Sequence, residues 1–261
     1  MKRATLLLCG FMLVLSAVPA SAAGDRAILP TGRFRSVLPP APGRDFQNVG
    51  SFALQRTPVT NAQFAKFVAE KPSWRRERVA QLFADSGYLS HWASSNKPGT
   101  GTEAQPVTHV SWFAASAYCE AQGGRLPTWH EWEYAAAADE QQRDARNNPM
   151  YLQRILNWYS MPNSNLSRVG TSSPNVYGIQ DLHGLVWEWV QDFHSLIVSG
   201  DSRRQGGADQ REFCGSGALA MEQKENYAIM MRIAMLSSLQ AKYTTTNVGF
   251  RCAFDVPAGG R

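Results

Sequence analysis

Apolar positions along this chain change period several times, and each change marks an element. Ser51 to Arg56 alternates as a strand does, and a further strand is predicted around Phe34–Val37. From Thr60 the spacing becomes helical, with Phe64, Phe67 and Val68 on one face. Thr60 and Gln63 stand at the two positions of a capping box. Ser73 to Ala84 reads as a second amphipathic helix with Val79, Leu82 and Phe83 inward. Ser111 caps a third helix carrying Trp112, Ala115, Tyr118 and Cys119, which Gly123-Gly124 ends. Thr128 and Glu131 form another capping box, opening a helix through Trp132, Tyr134 and a run of alanines. Residues 139–150 read as polar and solvent-facing, and 157–217 as loop-rich. Met221 to Gln240 regains helical spacing at Tyr227, Met230, Met231, Ala234 and Met235. Short helices, short strands and long ordered loops predict an α+β domain packed by aromatic side chains.

The N-terminus changes the picture of where this domain works. Lys2 and Arg3 precede an apolar run from Leu6 to Val18, and Ala20-Ser21-Ala22 offers a signal-peptidase site. The expected organisation is a signal peptide over 1–22, an extended leading segment over 23–50, one domain over 51–255 and a tail over 256–261. A periplasmic or secreted protein without a membrane span follows as the expectation. The chain's net charge is +5, but its basic residues are scattered among acids, which argues against a nucleic-acid surface. Of four cysteines, Cys9 would leave with the signal, so Cys119, Cys214 and Cys252 remain. Composition alone does not pair them.

Five blocks then carry a specific resemblance. They are Thr57-Pro58-Val59-Thr60-Asn61-Ala62-Gln63-Phe64; Pro106-Val107-Thr108-His109-Val110-Ser111-Trp112 with Ala117-Tyr118-Cys119; and Gly124-Arg125-Leu126-Pro127-Thr128 with Glu131-Trp132-Glu133-Tyr134. Asn175-Val176-Tyr177-Gly178 with Asp181 through Trp189, and Asn247-Val248-Gly249-Phe250-Arg251-Cys252, complete the set. In this order and number they resemble the formylglycine-generating enzyme, or sulfatase-modifying factor, family. The resemblance implies a fold related to C-type lectin-like domains, with little regular secondary structure and long ordered loops.

It also implies site residues. Calcium would be held by Asp181, Gly184, Val186 and Glu188, an oxygen set suited to a hard cation. Cys119 would pair with Cys252. The family's copper thiolates would fall at Gln223 and Ala228, neither a soft ligand, so no bis-thiolate copper site is expected. Tyr227, Arg232, Trp112 and His109 are candidates for a peptide groove. Cys214, with Met221, Met230, Met231 and Met235 nearby in sequence, is a candidate nucleophile or soft-metal ligand; as a small hydrophobe in a methionine-filled core it would do neither. The five histidines are dispersed and show no local metal motif, which leaves iron without support; His109 and His130 flank the aromatic blocks and are candidates to converge, isolated histidines being more often hydrogen-bonded structural residues.

Three functions are compatible with this pattern. The first is an accessory or maturation factor without the copper pair, binding a secreted protein or peptide. The subgroup the chain most resembles, nitrite-reductase accessory proteins, makes a periplasmic copper enzyme the expected partner. The second is an oxidase or sulfur-chemistry enzyme with a site rebuilt around Cys214, taking copper or iron. The third is a lectin-like carbohydrate binder.

Overall fold

A computed structural model describes residues 24–38, 46–160, 166–195 and 224–256. In chain order the elements are β1 (Arg26–Leu29), β2 (Gly32–Arg35), β3 (Phe46–Val49), β4 (Phe52–Gln55), α1 (Asn61–Glu70), α2 (Trp112–Ala121), α3 (Trp129–Ala136) and α4 (Pro149–Ser160). They continue with β5 (Trp187–Glu188), α5 (Lys224–Ser237), β6 (Val248–Gly249) and β7 (Ala253–Asp255). The fold is α+β with small sheets and long ordered connections, as the sequence implies.

β4 is central in a three-stranded antiparallel sheet of order β1-β4-β7, and all four of its residues are buried. Arg26 faces Gln55 across one edge and Phe52 faces Asp255 across the other. β2 and β3 form a separate antiparallel hairpin, while β5 and β6 pair in parallel over two residues. That short pairing brings the Trp-Glu-Trp loop beside the C-terminal block. It requires a glycine: a Cβ on Gly249 would lie 2.7 Å from the Val107 carbonyl oxygen.

The predicted caps form. Thr60 and Gln63 close the α1 box, Thr128 and Glu131 close the α3 box, and the Ser111 hydroxyl accepts from the Ala114 N–H. α2 stops at Gly123, which adopts φ 73°, a left-handed conformation without cost for glycine. Phe64 stacks on Tyr118 at 5.7 Å, and Phe250 meets Tyr118 edge-on at 5.3 Å, so α1, α2 and the C-terminal segment share one aromatic core. The Cys119–Cys252 disulfide joins two of these parts, α2 and the C-terminal segment, and both cysteines are fully buried.

Three expectations are corrected. Residues 73–84 do not form a helix: a short 3-10 turn over Pro72–Trp74 is followed by separate hydrogen-bonded turns. Arg75 and Arg76 turn back, Arg75 onto the Val68 carbonyl and Arg76 onto those of Leu89 and Trp92. Leu82 and Phe83 consequently face outward, 73% and 40% exposed. α4 arises where polar loop was read; Pro149 suits a first helical position, and Tyr151 and Ile155, one turn apart, pack on Ala145. α5 buries Ile229, Arg232, Ile233 and Leu236; of the expected face, Met230 and Met235 are partly buried against the core, while Met231 and Ala234 are exposed. Among the described residues no helix is long and apolar enough to cross a membrane.

Candidate functional site

The best-defined polar arrangement is internal. Glu188 and Arg251 are both fully buried and form an ion pair at 2.8 Å. Arg251 donates through Nε and Nη2 to the Glu188 carboxylate, through Nη1 to the carbonyls of Gln55 and Arg56, and through Nη2 to that of Gln180. Trp132 donates its indole N–H to Glu188 Oε2 at 2.8 Å. Arg232 lies with its guanidinium carbon 3.5 Å from the Trp132 ring centroid and donates to the Glu188 carbonyl. Arg232, expected on the groove, is therefore a core residue: the cation–π contact and the backbone acceptor draw it inward.

This geometry bears on calcium. Asp181 accepts from the Gly170 and Ser172 N–H groups. Glu188 accepts from Arg251 and Trp132 and, like Asp181, is buried. A carboxylate that accepts hydrogen bonds keeps lone pairs for a hard cation, so Asp181 and Glu188, with the carbonyls of Gly184 and Val186, remain a proposed calcium set. Among the described residues no group of three or more His, Cys, Asp or Glu is placed to hold a metal ion.

A second buried acid escaped the sequence reading. Glu133 accepts from the Ser36 hydroxyl, the Val37 N–H and the Trp129 indole, docking the chain after β2 onto α3. Burial pushes its carboxyl above the usual range, and these donors oppose that. The signal available was the one-turn spacing of Trp129 and Glu133 on α3.

The tryptophans are structural, as expected. Trp112 donates to the Val190 carbonyl and Trp189 to the Val110 carbonyl, a reciprocal clamp between two loops. The exposed side of Trp112 forms, with Phe193, His194, Leu239, Gln240 and Ala241, an apolar cleft of about 350 Å³. Trp112 is thus a groove candidate that lines a cleft. Tyr227 lies on α5, but its side chain falls outside the described residues, as do Gln223 and Cys214 and the side chain of Ala228.

His109 and His130 do not converge. His109 stacks on His91 at 4.4 Å between centroids, while His130 Nε2 contacts the Leu38 carbonyl at 3.1 Å. Burial lowers the His109 pKa, with Asp85 opposing. Burial, then His109, then Arg76 lowers that of His91 to about 4. His183 sits edge-on to Trp132 and Tyr151 and contacts the Ala136 carbonyl at 3.0 Å. Burial lowers its pKa to about 4, which keeps it neutral.

Chemically, the Trp112 cleft offers aromatic and aliphatic surface with one exposed imidazole. Cys119 and Cys252 are consumed by their bridge and contribute no thiolate.

These elements define a protein of the formylglycine-generating type: capped helices around an aromatic core, a Trp-Glu-Trp loop paired in parallel with a Gly-Phe-Arg-Cys end, and an ion pair between them. The chain belongs to the sulfatase-modifying factor enzyme 1-like family, whose model matches residues 16–256. It is 29% identical to the inactive C-alpha-formylglycine-generating enzyme 2 of Mus musculus, over 86% of this chain and 84% of that one. It is also 29% identical to the formylglycine-generating enzyme of Streptomyces coelicolor, over 78% of each. The crystal structure of CarF superposes with a TM-score of 0.49 at 16% identity, covering 89% of this chain and 98% of that one.

Proposed function

We propose that this protein is a periplasmic, formylglycine-generating-enzyme-like accessory or maturation factor. In this reading it binds a segment of a secreted protein and does not oxidise a cysteine. The observation that carries the reading is the fate of sulfur: both described cysteines are locked in one buried disulfide, and the positions matching the copper thiolates are Gln223 and Ala228. A bis-thiolate Cu(I) clamp needs two soft ligands, and those side chains supply none. The relative named inactive shares 29% identity over most of both chains, which supports a non-catalytic member of the family. The N-terminal pattern and the disulfide support an oxidising, extracytoplasmic compartment. The apolar cleft at Trp112 supports peptide binding.

The partner proposed is a periplasmic copper enzyme in its immature form. Purified protein mixed with the metal-free form of a copper nitrite reductase from the same cell should give a complex on size-exclusion chromatography. Absence of a complex with apo and copper-loaded enzyme alike would refute the partner. Aldehyde on a sulfatase-derived cysteine peptide, captured with a hydrazide after incubation with copper and oxygen, would refute the non-catalytic reading.

A further inference from the structure

The Trp112 cleft has a neighbour. A second and larger opening, about 540 Å³, is lined by residues that include Arg76, Glu77, Val79, Asp85, Tyr88 and Lys242. The two share a wall, because Leu239, Gln240 and Ala241 line the first and Lys242, next in the chain, lines the second. That wall is held from behind: the Trp112 N–H donates to the Ala241 carbonyl and the Asp85 N–H to the Lys242 carbonyl. An aromatic path joins the same two places on the surface. Phe193 and Trp112 are 6.0 Å apart, Trp112 and Phe113 5.5 Å, Phe113 and Phe83 5.4 Å, and Phe83 and Trp74 6.0 Å. Its far end carries the exposed Leu82 and Phe83.

Charge distinguishes the two ends. The first cleft is apolar apart from His194 and Gln240. In the second, the Asp85 carboxylate is taken up by the N–H groups of Gly87 and Thr244 and by the Thr244 hydroxyl. Glu77 lies in the field of Arg75 and Arg78. Arg76 holds three backbone carbonyls through one nitrogen. Lys242 is exposed and has no ion-pair partner among the described residues. With Arg75 and Arg78 beside it, this end carries four cations (Arg75, Arg76, Arg78 and Lys242) against two acids, one of them internally satisfied.

We infer that the two clefts form one track for an extended peptide segment, taking an apolar or aromatic side chain at Trp112 and Leu239 and a carboxylate at Lys242. The inference rests on the proposed peptide-binding role and adds the chemistry of the partner segment: an aromatic anchor followed closely by acidic residues. An apolar pocket that fixes one side chain and a charge that selects the next is a common division between affinity and specificity.

The test uses fluorescein-labelled Gly-Ser-Phe-Gly-Asp-Asp-Ser-Gly and the full mature chain, with binding read by anisotropy. Replacing the peptide Phe by Ala should weaken binding at least about tenfold, the scale of burying one aromatic side chain. Replacing both Asp by Asn should weaken it by about fivefold at low salt, the scale of a half-exposed ion pair, and should remove most of the salt dependence. K242E should abolish the preference for Asp over Asn and leave the Phe-to-Ala loss unchanged, while K242R should keep both. An unchanged thermal melt for K242E shows that the fold is intact. Phe-dependent binding indifferent to Asp and to K242E would overturn the charged end and leave the peptide-binding role standing. No binding of any of the three peptides to protein with a normal melt would overturn the track; complex formation with the copper enzyme decides the broader role separately.

Discussion

Arg251 shows how one side chain can hold a loop-rich fold together. It bridges the end of β4, the turn at Gln180 and β5, and each of those segments lacks a long ladder of its own. Removing Glu188 would leave the guanidinium buried without its counter-charge. Glu188→Ala should therefore lower unfolding free energy by about 3–5 kcal/mol, measured by urea denaturation. Calcium held by Asp181 and Glu188 would make the wild-type melt depend on chelator, and that dependence should vanish in this variant; a wild-type melt equal in calcium and in chelator would refute the calcium proposal. A second residue-scale prediction concerns His183, whose pKa is held at about 4 by burial. An unfolded histidine titrates near 6.5, so between those values the unfolded chain binds the extra proton. This contribution is complete above about pH 6.5 and is lost as pH falls toward 4. His91 and His109 shift in the same direction and add to the slope. His183→Gln should flatten the dependence of the urea midpoint on pH across that window, and an unchanged slope would show that another group dominates it.

At the scale of elements, what the sequence made legible was whatever is decided locally. Thr60 with Gln63, Ser111, and Thr128 with Glu131 fix helix starts through bonds spanning three residues, and all three form. Thr128→Ala should cost about 1 kcal/mol, checked by chemical denaturation. The span 73–84 failed because tertiary partners outweigh helical spacing: Arg75 and Arg76 find better acceptors in the carbonyls of other turns than a continuous helix would leave them. Helix α4 was missed for the converse reason. Its charged flanks masked a short apolar pair, Tyr151 and Ile155, that becomes informative only beside Ala145. The Glu188–Arg251 pair was unreadable as well, since the two residues are 63 positions apart and meet only through the parallel β5–β6 contact. The pairing of Cys119 with Cys252 followed from family resemblance and not from spacing. The bridge closes a separation of 133 residues, for which chain entropy gives about 5 kcal/mol as an upper figure. Cys119→Ala with Cys252→Ala should lower the unfolding free energy, measured by urea denaturation, by an amount approaching that figure, and a reductant should then have no further effect.

Across the whole molecule, the parts of the pattern that match the family build the scaffold, and Gln223 and Ala228 depart from it where the family's copper thiolates would sit. The wall of the Trp112 cleft is held by backbone bonds from the Trp112 N–H to Ala241 and from the Asp85 N–H to Lys242. A scaffold so fixed makes the surface separable from the chemistry. Installing Gln223→Cys with Ala228→Cys would therefore add ligands without building the donors that align a substrate cysteine, because positioning supplies much of any such rate. The double variant should bind Cu(I), measured by competition with a chromogenic chelator, yet give no aldehyde on a sulfatase peptide. Aldehyde formation by that variant would mean the groove already orients a cysteine for oxidation, and the protein would then be an enzyme two substitutions removed from activity and not a scaffold turned to binding.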